Sequence, residues 1–387
     1  MSTDAFPTLS WTGPDGTAHT VRWRSEAGVP PPRQVVVADD TLPADTAYRL
    51  ACEGTALLWQ GDFQNARHLL QALTRRLDHK ERRKPKAPAG TPAQAFHQHR
   101  QRLGHRARIL GILLLPFEPD HTVPLRRAPD TRAACTEAYG PAHEPYAASL
   151  RELLGLIGAH EWRKKGVFVP ALGDRIHAHY GVFSPVRGEY VDLVARAPLP
   201  AGLDMAVDIG TGTGVLAAVL ARRGVPRVVA TDTAPRSLAC ARDNLQRLGL
   251  AERVVLCEQP LFPAEPAALI VCNPPWVPAR PSSPIESAVY DPDSQMLRGF
   301  LDGLASHLRP GGEGWLIVSD LAEHLGLRTR DELLGWITAA GLRVIDRLDT
   351  RPVHGKAHDA DDPLHAARAR EVTSLWRLGR QADAPAT

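Results

Sequence analysis

The sequence predicts an α/β fold whose C-terminal part is a doubly wound, mainly parallel seven-stranded sheet. From about residue 203 onward, short apolar runs alternate with helical patterns of roughly 10–15 residues, the order expected for parallel strands joined by crossover helices. A glycine-rich run, VDIGTGTGVLA at 207–217, lies at the first strand-to-helix turn, where open sheets of this class bind ligands. Segment 349–370 has no strong helical pattern, which allows an antiparallel pair at one sheet edge.

The strands of this part are predicted from runs rich in Val, Ile and Leu. In order they are MAVDIG, RVVATD, RVVLC, ALIVC, GWLIVS, RVIDRL and EVTSLWRLG. The helices predicted between them are GVLAAVLARRG, APRSLACARDNLQRLG, DSQMLRGFLDGLASHL and RDELLGWITAAG.

We expect two domains, an α+β domain over residues 1–165 and the sheet domain over residues 166–387. The elements predicted in the first are, in order, a hairpin over 8–24, helices over 45–83, a connector over 84–95, one or two buried strands over 108–119 and an amphipathic helix over 149–166.

Composition indicates a soluble protein of a reducing compartment. The chain has 387 residues, of which 43% are hydrophobic and 23% charged. Its longest apolar run, ILGILLLPF at 109–117, is shorter than the ~20 residues that cross a bilayer, so we expect no membrane partner. The start of the chain lacks a secretory pattern, and the five cysteines are far apart without a CxxC pair. We therefore expect a cytoplasmic protein without a metal site.

Positive charge is concentrated in one tract. Between Arg67 and Arg108 the chain has twelve Lys or Arg and two acids, although the net charge of the whole chain is only +3. Such a tract can follow the phosphates of RNA or DNA. A solvated helix face followed by a basic linker would have the same composition, so both interpretations stay open.

The glycine-rich run has an acidic partner. Asp232 ends the next predicted strand, 22 residues after Gly210, in a position suited to a ribose diol. The pair fits either a nicotinamide dinucleotide or S-adenosylmethionine. The glycine spacing is GxGxG rather than GxGxxG, and Asp208 would oppose a pyrophosphate but suits a ligand with an ammonium group. Both features favour S-adenosylmethionine.

A second motif, LIVCNPPW at 269–276, ends a predicted buried strand with Asn273, Pro274, Pro275 and Trp276. Together with VDIGTGTG, Asp232 and ARDNLQRLGL, it resembles class I S-adenosylmethionine-dependent methyltransferases. The resemblance is to their amino-methylating branch, with an Asn-Pro-Pro-aromatic signature, and it covers about residues 180–345. It implies an enzyme with a Rossmann-like methyltransferase fold and S-adenosylmethionine as cofactor.

The resemblance also implies which residues hold the cofactor. Asp208, Gly210 and Gly212 would line its methionine part, and Asp232 would hold the ribose hydroxyls. The acidic residue that usually contacts the adenine amine corresponds to Pro260, a departure that leaves Gln259 or Glu258 as the substitute. The further cofactor candidates of these motifs are Thr211, Gly214, Thr233 and Asn273.

The chemistry of NPPW suits a planar NH2 acceptor. The lone pair of an amide or aryl amine nitrogen is delocalised, so that nitrogen must be oriented before it can attack a methyl sulfonium. The Asn273 side-chain carbonyl and the Pro274 backbone carbonyl can accept its two N–H groups, and Trp276 offers a flat face for stacking. His177, His179 and Tyr180 are interpreted as structural or substrate-facing, because this reaction needs no strong base.

The acceptor itself stays open. A nucleobase amine in RNA or DNA, reached on the ribosome or free, is slightly favoured by the basic tract and by Trp276. A glutamine side chain of a translation factor or ribosomal protein is the alternative, and a small-molecule amine comes third. A catalytically silent nucleic-acid-binding module and a nicotinamide-dependent oxidoreductase are the hypotheses from other classes. The N-terminal domain is expected to select the substrate.

Overall fold

The computed structural model describes residues 6–13, 15–83, 90–186, 188–352, 359 and 362–381. The chain divides into two units, one made of Met1–Ala89 and His97–Glu161 and the other of Gly90–Phe96 and Trp162–Thr387. Segment Gly90–Phe96 therefore belongs to the C-terminal unit although it lies far from it in sequence. None of the described helices is both long and apolar enough to cross a bilayer.

The N-terminal unit is built on a six-stranded sheet in the order β1-β2-β6-β5-β4-β3. Its strands are β1 Thr8–Thr12, β2 Ala18–Trp23, β3 Gln34–Ala38, β4 Thr55–Trp59, β5 Leu113–Phe117 and β6 Tyr146–Ser149. The helices that begin in this part of the chain are α1 Ala44–Glu53, α2 Phe63–Arg83, α3 Pro92–Leu110, α4 Arg132–Tyr139 and α5 Leu150–Lys165. The predicted α+β character and the hairpin of β1 and β2 are confirmed.

Two predictions for this unit are wrong in detail. The range 45–83 is not helical throughout, because all five residues of β4 are buried in the sheet between β3 and β5. The predicted connector over 84–95 ends early, since α3 begins at Pro92, and residues 84–89 lie outside the described residues. The range 108–119, predicted to hold one or two buried strands, holds the end of α3 and one strand, β5. Short apolar runs do not distinguish strand from helix by periodicity alone.

The C-terminal unit contains the predicted seven-stranded sheet, in the order β11-β10-β9-β12-β13-β15-β14. Its strands are β7 Val167–Val169 and β8 Asp174–Ile176, which pair separately, and then β9 Met205–Ile209, β10 Arg227–Asp232, β11 Val254–Glu258, β12 Ala267–Cys272, β13 Leu308–Ser319, β14 Leu342–Thr350 and β15 Thr373–Arg380. Its helices are α6 Glu189–Arg196, α7 Val215–Arg222, α8 Pro235–Arg247, α9 Gln295–His307, α10 Leu321–His324, α11 Arg330–Ala339 and α12 His365–Arg368.

Strand direction follows the connections. Strands β11, β10, β9, β12 and β13 are parallel to one another, as expected where helices cross between them. Strand β15 is antiparallel to both β13 and β14, so the predicted antiparallel pair at one edge is confirmed. The fold class predicted from the sequence is therefore confirmed.

The core of this unit lies on both faces of the sheet. Side chains alternate along β9: Ala206 packs with α6 and α7, whereas Met205 and Val207 pack with α9 and α11. A third apolar cluster is formed by Phe96, Val277, Leu321, Leu325, Leu364 and Ala367. The carboxyl ends of the parallel strands, between these layers, present the loops considered next.

Candidate active site

The glycine-rich turn leaves β9 in a backbone conformation that few other residues adopt. Gly210 has φ +70° and Gly212 has φ +54°. The backbone N–H groups of Gly210 and Thr211 both donate to the carbonyl oxygen of Thr231, at 2.9 Å each, and so anchor the turn to β10. A Cβ at Gly212 would meet nothing nearer than the Gly210 carbonyl oxygen at 4.0 Å, so open space lies beside this part of the turn.

Asp208 supports the turn from inside. Its side chain is 1% exposed, and its Oδ2 accepts from the Thr211 hydroxyl at 2.6 Å and from the Ala217 backbone N–H at 3.0 Å. Burial raises the pKa of this carboxyl from 3.8 to about 6. Asp208 therefore joins the end of β9 to the start of α7, and its contact with the methionine part of a cofactor stays a prediction.

Asp232 lies at the end of β10 with its carboxylate beside the glycine turn. Its Oδ2 accepts from the Gly212 backbone N–H at 3.0 Å, and its Oδ1 accepts from the Ala234 backbone N–H at 2.9 Å. Each carboxylate oxygen has two lone pairs, so both can accept a further hydrogen bond. The side chain is half-buried, so part of it is accessible to a ligand; its contact with a ribose diol stays a prediction.

Three other predicted cofactor residues differ in their surroundings. Gln259 follows β11, donates its backbone N–H to the Asp232 carbonyl oxygen at 3.1 Å, and has a buried side-chain nitrogen without a hydrogen-bond partner. Thr233 is exposed at the same edge. Gly214 has a packing role, because a Cβ there would lie 3.1 Å from the Cβ of Ala241 on α8.

These groups fit S-adenosylmethionine. An adenosine moiety needs a carboxylate for its ribose hydroxyls and a neutral polar group for its base, and Asp232 and Gln259 lie at the ends of neighbouring strands. The unpartnered amide of Gln259 is a buried polar group that would gain a hydrogen bond from such a ligand. The open space beside Gly212 gives the ligand access to the backbone.

The pairing of β12 with β9 brings the NPPW motif to the same edge of the sheet as the glycine turn. Cys272 of β12 pairs with Ile209 of β9, so Asn273 and Gly210 each follow a paired residue by one position. Neighbouring strands lie about 4.8 Å apart, which places the two motifs side by side. Pro274 is buried and Pro275 is half-buried.

Trp276 has a role that the sequence did not predict. Its indole Nε1–H donates to the Asn273 side-chain oxygen Oδ1 at 2.9 Å, and its ring packs against all three apolar clusters of the C-terminal unit. This hydrogen bond sets the orientation of the Asn273 carboxamide. A carbonyl oxygen has two lone pairs, so Oδ1 can accept one more N–H. Stacking of a substrate on Trp276 stays a prediction.

The entry to α9 completes this edge and was missed by sequence reasoning. The Asp291 backbone N–H donates to the Val277 carbonyl oxygen at 2.9 Å, and its buried carboxylate accepts the backbone N–H groups of Met296 and Leu297 at 3.0 and 3.1 Å. The methyl carbon of Met296 lies 2.7 Å from where a Cβ of Gly210 would be. An aspartate ahead of an apolar helical run was the available signal.

Phe96 is a second residue that sequence reasoning missed. It is 2% exposed, packs with Val277 in the third apolar cluster, and lies with its ring centroid 6.3 Å from that of Tyr290. It follows directly on the range predicted to be a connector, and no local pattern indicates a partner near residue 290.

The segment before the sheet is fastened to the glycine turn by Asn244. This residue is 1% exposed; its Oδ1 accepts the His177 backbone N–H at 2.8 Å, and its Nδ2 donates to the Thr213 carbonyl oxygen at 3.1 Å. His179 Nε2 lies 2.9 Å from Asp243 Oδ2. The described residues contain no group of three or more side chains that could hold a metal ion.

Part of the C-terminal unit is similar to a known protein family. The family model described as methyltransferase small domain matches residues 174–330. This range includes the glycine turn, Asp232 and NPPW. Residues 174–330 are therefore similar to a methyltransferase small domain. The predictions of a class I methyltransferase and of S-adenosylmethionine as its cofactor are thereby confirmed.

Two curated relatives are named for the methylation of proteins. A release factor glutamine methyltransferase from Cereibacter sphaeroides is 33% identical over 162 residues, 38% of this chain and 56% of the relative. A ribosomal protein L11 methyltransferase from Yersinia pseudotuberculosis is 31% identical over 119 residues, 30% of this chain and 41% of the relative. The chain thus spans about half the length of the curated relatives it matches.

Among solved structures, a ribosomal protein L11 methylase from Lactobacillus delbrueckii subsp. bulgaricus is similar, with a TM-score of 0.37 and 16% identity. That match covers 55% of this chain and 90% of the solved chain.

Replacement of Asp232 by alanine should weaken binding of S-adenosylmethionine by about 1.5–3 kcal/mol, which is about 10- to 150-fold in dissociation constant, because hydrogen bonds to a charged acceptor are lost. Titration calorimetry measures it. Asp302→Ala, a matched change at an exposed position of α9, should leave the affinity unchanged. Equal affinities in the two variants would contradict the role of Asp232.

Asp208 should make stability depend on pH between about 4 and 7. Its pKa is raised in the folded state, from 3.8 to about 6, so the folded protein holds the proton over a range where the unfolded chain has released it. Its contribution is therefore fully present below pH 4 and is lost as pH rises through 6, by up to about 3 kcal/mol. Urea unfolding of the wild type and of Asp208→Asn measures this: the free energy of unfolding of the wild type minus that of the variant should fall as pH rises from 4 to 7. A rise over that range would disprove the prediction.

Proposed function

We propose that this chain transfers a methyl group from S-adenosylmethionine to the planar NH2 nitrogen of a glutamine carboxamide in a polypeptide. The observation that supports the proposal most is the Asn273 side-chain oxygen, held by Trp276 at 2.9 Å, one residue beyond the pairing of β12 with β9. That position puts a neutral acceptor next to the glycine turn.

A carboxamide nitrogen needs orientation more than it needs a base. Its lone pair is conjugated with the carbonyl group, so attack requires the nitrogen to be rotated and its N–H groups to be held. The Asn273 side-chain oxygen accepts one N–H group and the Pro274 backbone oxygen accepts the other. Pro275 has no backbone N–H and a fixed φ, which keeps this acceptor pair rigid.

The acceptor pair also stabilises the charge of the reaction. S-adenosylmethionine, when bound, supplies an electrophilic methyl group on a sulfonium. The nitrogen gains positive charge as it is methylated, and two carbonyl dipoles that are already in place stabilise that charge without reorganisation. Asn273 is neutral, so it polarises the N–H group without adding a second carboxylate to a site that already contains Asp232. The proton can leave to water after transfer.

We favour a protein glutamine as the methyl acceptor, whereas the sequence alone slightly favours a nucleobase amine. It is supported by the relative named as a release factor glutamine methyltransferase, which is 33% identical over 162 residues. A nucleobase amine is the second candidate, because α2 and α3 concentrate positive charge in the N-terminal unit. A silent binding module is disfavoured, since Asp208, Asp232 and Asn273 are all in place.

Tritiated S-adenosylmethionine, incubated with the enzyme and a lysate from cells that lack it, should label the protein fraction. Acid hydrolysis of that fraction should then release labelled methylamine, because a methylated carboxamide is cleaved at its amide bond whereas a methylated lysine is not. Label confined to RNA or DNA would support the nucleobase instead and overturn the glutamine acceptor.

The matched control for this experiment is Asn273→Ala. It should bind S-adenosylmethionine like the wild type and transfer methyl groups about 10²-fold more slowly or worse, the usual loss for one orienting group. Full activity of this variant would contradict the role given to Asn273.

Trp276→Phe should lower kcat about 10-fold and leave the affinity for S-adenosylmethionine unchanged, because the ring is kept while the hydrogen bond that orients Asn273 is lost. Trp336→Phe on α11, which removes an indole N–H from the same unit, is the control and should keep kcat. An unchanged kcat in Trp276→Phe would show that the bond to Asn273 does not position it for transfer.

A further inference from the structure

The N-terminal unit has a groove lined by residues of α1 and α2. Its volume is about 680 Å³, and its polar lining consists of Tyr48 from α1 with Arg75, Arg76, His79 and Lys80 from α2. On α2 these residues recur at three- and four-residue intervals, so they lie along one stripe of the helix. The groove is therefore lined mainly by basic side chains around one aromatic ring.

Two of these cations are available for a ligand. Arg76 forms an ion pair with Asp45, which leaves its charge compensated. Arg75 and Lys80 are exposed, and neither has an acidic partner among the described residues. The Lys80 ammonium lies 4.5 Å from the centroid of the Tyr48 ring, which keeps the cation beside the aromatic side chain.

The positive charge continues beyond the groove. Over α2 and the part of α3 from His97 onward there are ten Lys or Arg and only two acids, Asp78 and Glu81. Asp78 is paired, since its carboxylate lies 2.5 Å from Arg106 of α3, and this contact holds the two helices together. Arg102 on α3 is exposed and adds to the same surplus. The groove thus lies in a strongly positive region of the unit.

We propose that this groove binds single-stranded nucleic acid, with Arg75 and Lys80 on its phosphates and Tyr48 in contact with a base. The surplus of positive charge fits a polyanion, and an aromatic ring among the cations fits a base rather than an acidic peptide. The proposal goes beyond the function assigned to the C-terminal unit, because it concerns binding and holds for either methyl acceptor.

Fluorescence anisotropy with a labelled 20-nucleotide single-stranded RNA, and with the DNA of the same sequence, tests the proposal on the full-length protein without cofactor. The double variant Arg75→Gln/Lys80→Gln should bind at least about 10-fold more weakly than the wild type. It should also reduce the slope of log affinity against log salt by about 1.4, since each phosphate contact of a single strand contributes about 0.7. Tyr48→Leu should weaken binding about 5-fold or more, through lost base contact.

Arg33→Gln/Arg132→Gln is the matched control, because it removes two exposed positive charges of the same unit outside α2 and α3. It should bind nucleic acid like the wild type. Equal losses of affinity in the two double variants would overturn the proposal. It would also be overturned if polyglutamate displaced the labelled oligonucleotide as well as the oligonucleotide itself does. Circular dichroism and thermal unfolding of each variant establish that a loss of binding is not a loss of folding.

Discussion

The register between β9 and β12 is the constraint on which the candidate site depends. Because Ile209 pairs with Cys272 in parallel, the glycine turn and the NPPW motif leave the sheet at the same edge, each one residue beyond the pair. A shift of one residue would turn every side chain of the strand to the other face of the sheet. β9 is fully buried and β12 nearly so, with apolar clusters on both faces of the sheet, so such a shift would pack each side chain against the wrong layer.

Around this register, a set of buried polar contacts gives the loops one conformation. Asp208 joins the end of β9 to the start of α7, and Asn244 joins the glycine turn to the segment around His177. Both side chains are about 1% exposed. Buried polar groups with their hydrogen bonds made restrict the backbone, whereas the same groups left unpaired would be costly. These hydrogen bonds therefore restrict the conformations open to the loops of the site.

The polar side chains at the carboxyl edge of the sheet differ in how many hydrogen bonds they already make. Asp232 has a bond on each oxygen and a half-exposed carboxylate, whereas the Gln259 side-chain nitrogen is buried and has none. Asn273 has one bond, from Trp276. Groups that still have hydrogen-bonding capacity thus collect along the carboxyl edge of β10, β11 and β12. This distribution separates residues that build the site from residues that can bind in it.

Much of the C-terminal unit could be predicted from the sequence, because its signals are local. Strands rich in Val, Ile and Leu, amphipathic helices between them and the glycine turn are each encoded within about a dozen residues. Gly210, Asp232 and Asn273 each end or directly follow a parallel strand. Their place at one edge could be predicted because the carboxyl ends of parallel strands lie together. The strand β4 was not predicted, because a short apolar run beside helices has no distinctive period.

Only the tertiary structure decided which groups are partnered. The bond from Trp276 to Asn273, the methyl of Met296 over Gly210 and the packing of Phe96 with Val277 join positions that local pattern does not connect. The sequence by itself determined the sheet, its ligand-binding edge and the residue types at that edge. Side-chain partners depend on how distant segments pack, and packing is a property of the whole unit rather than of any one segment.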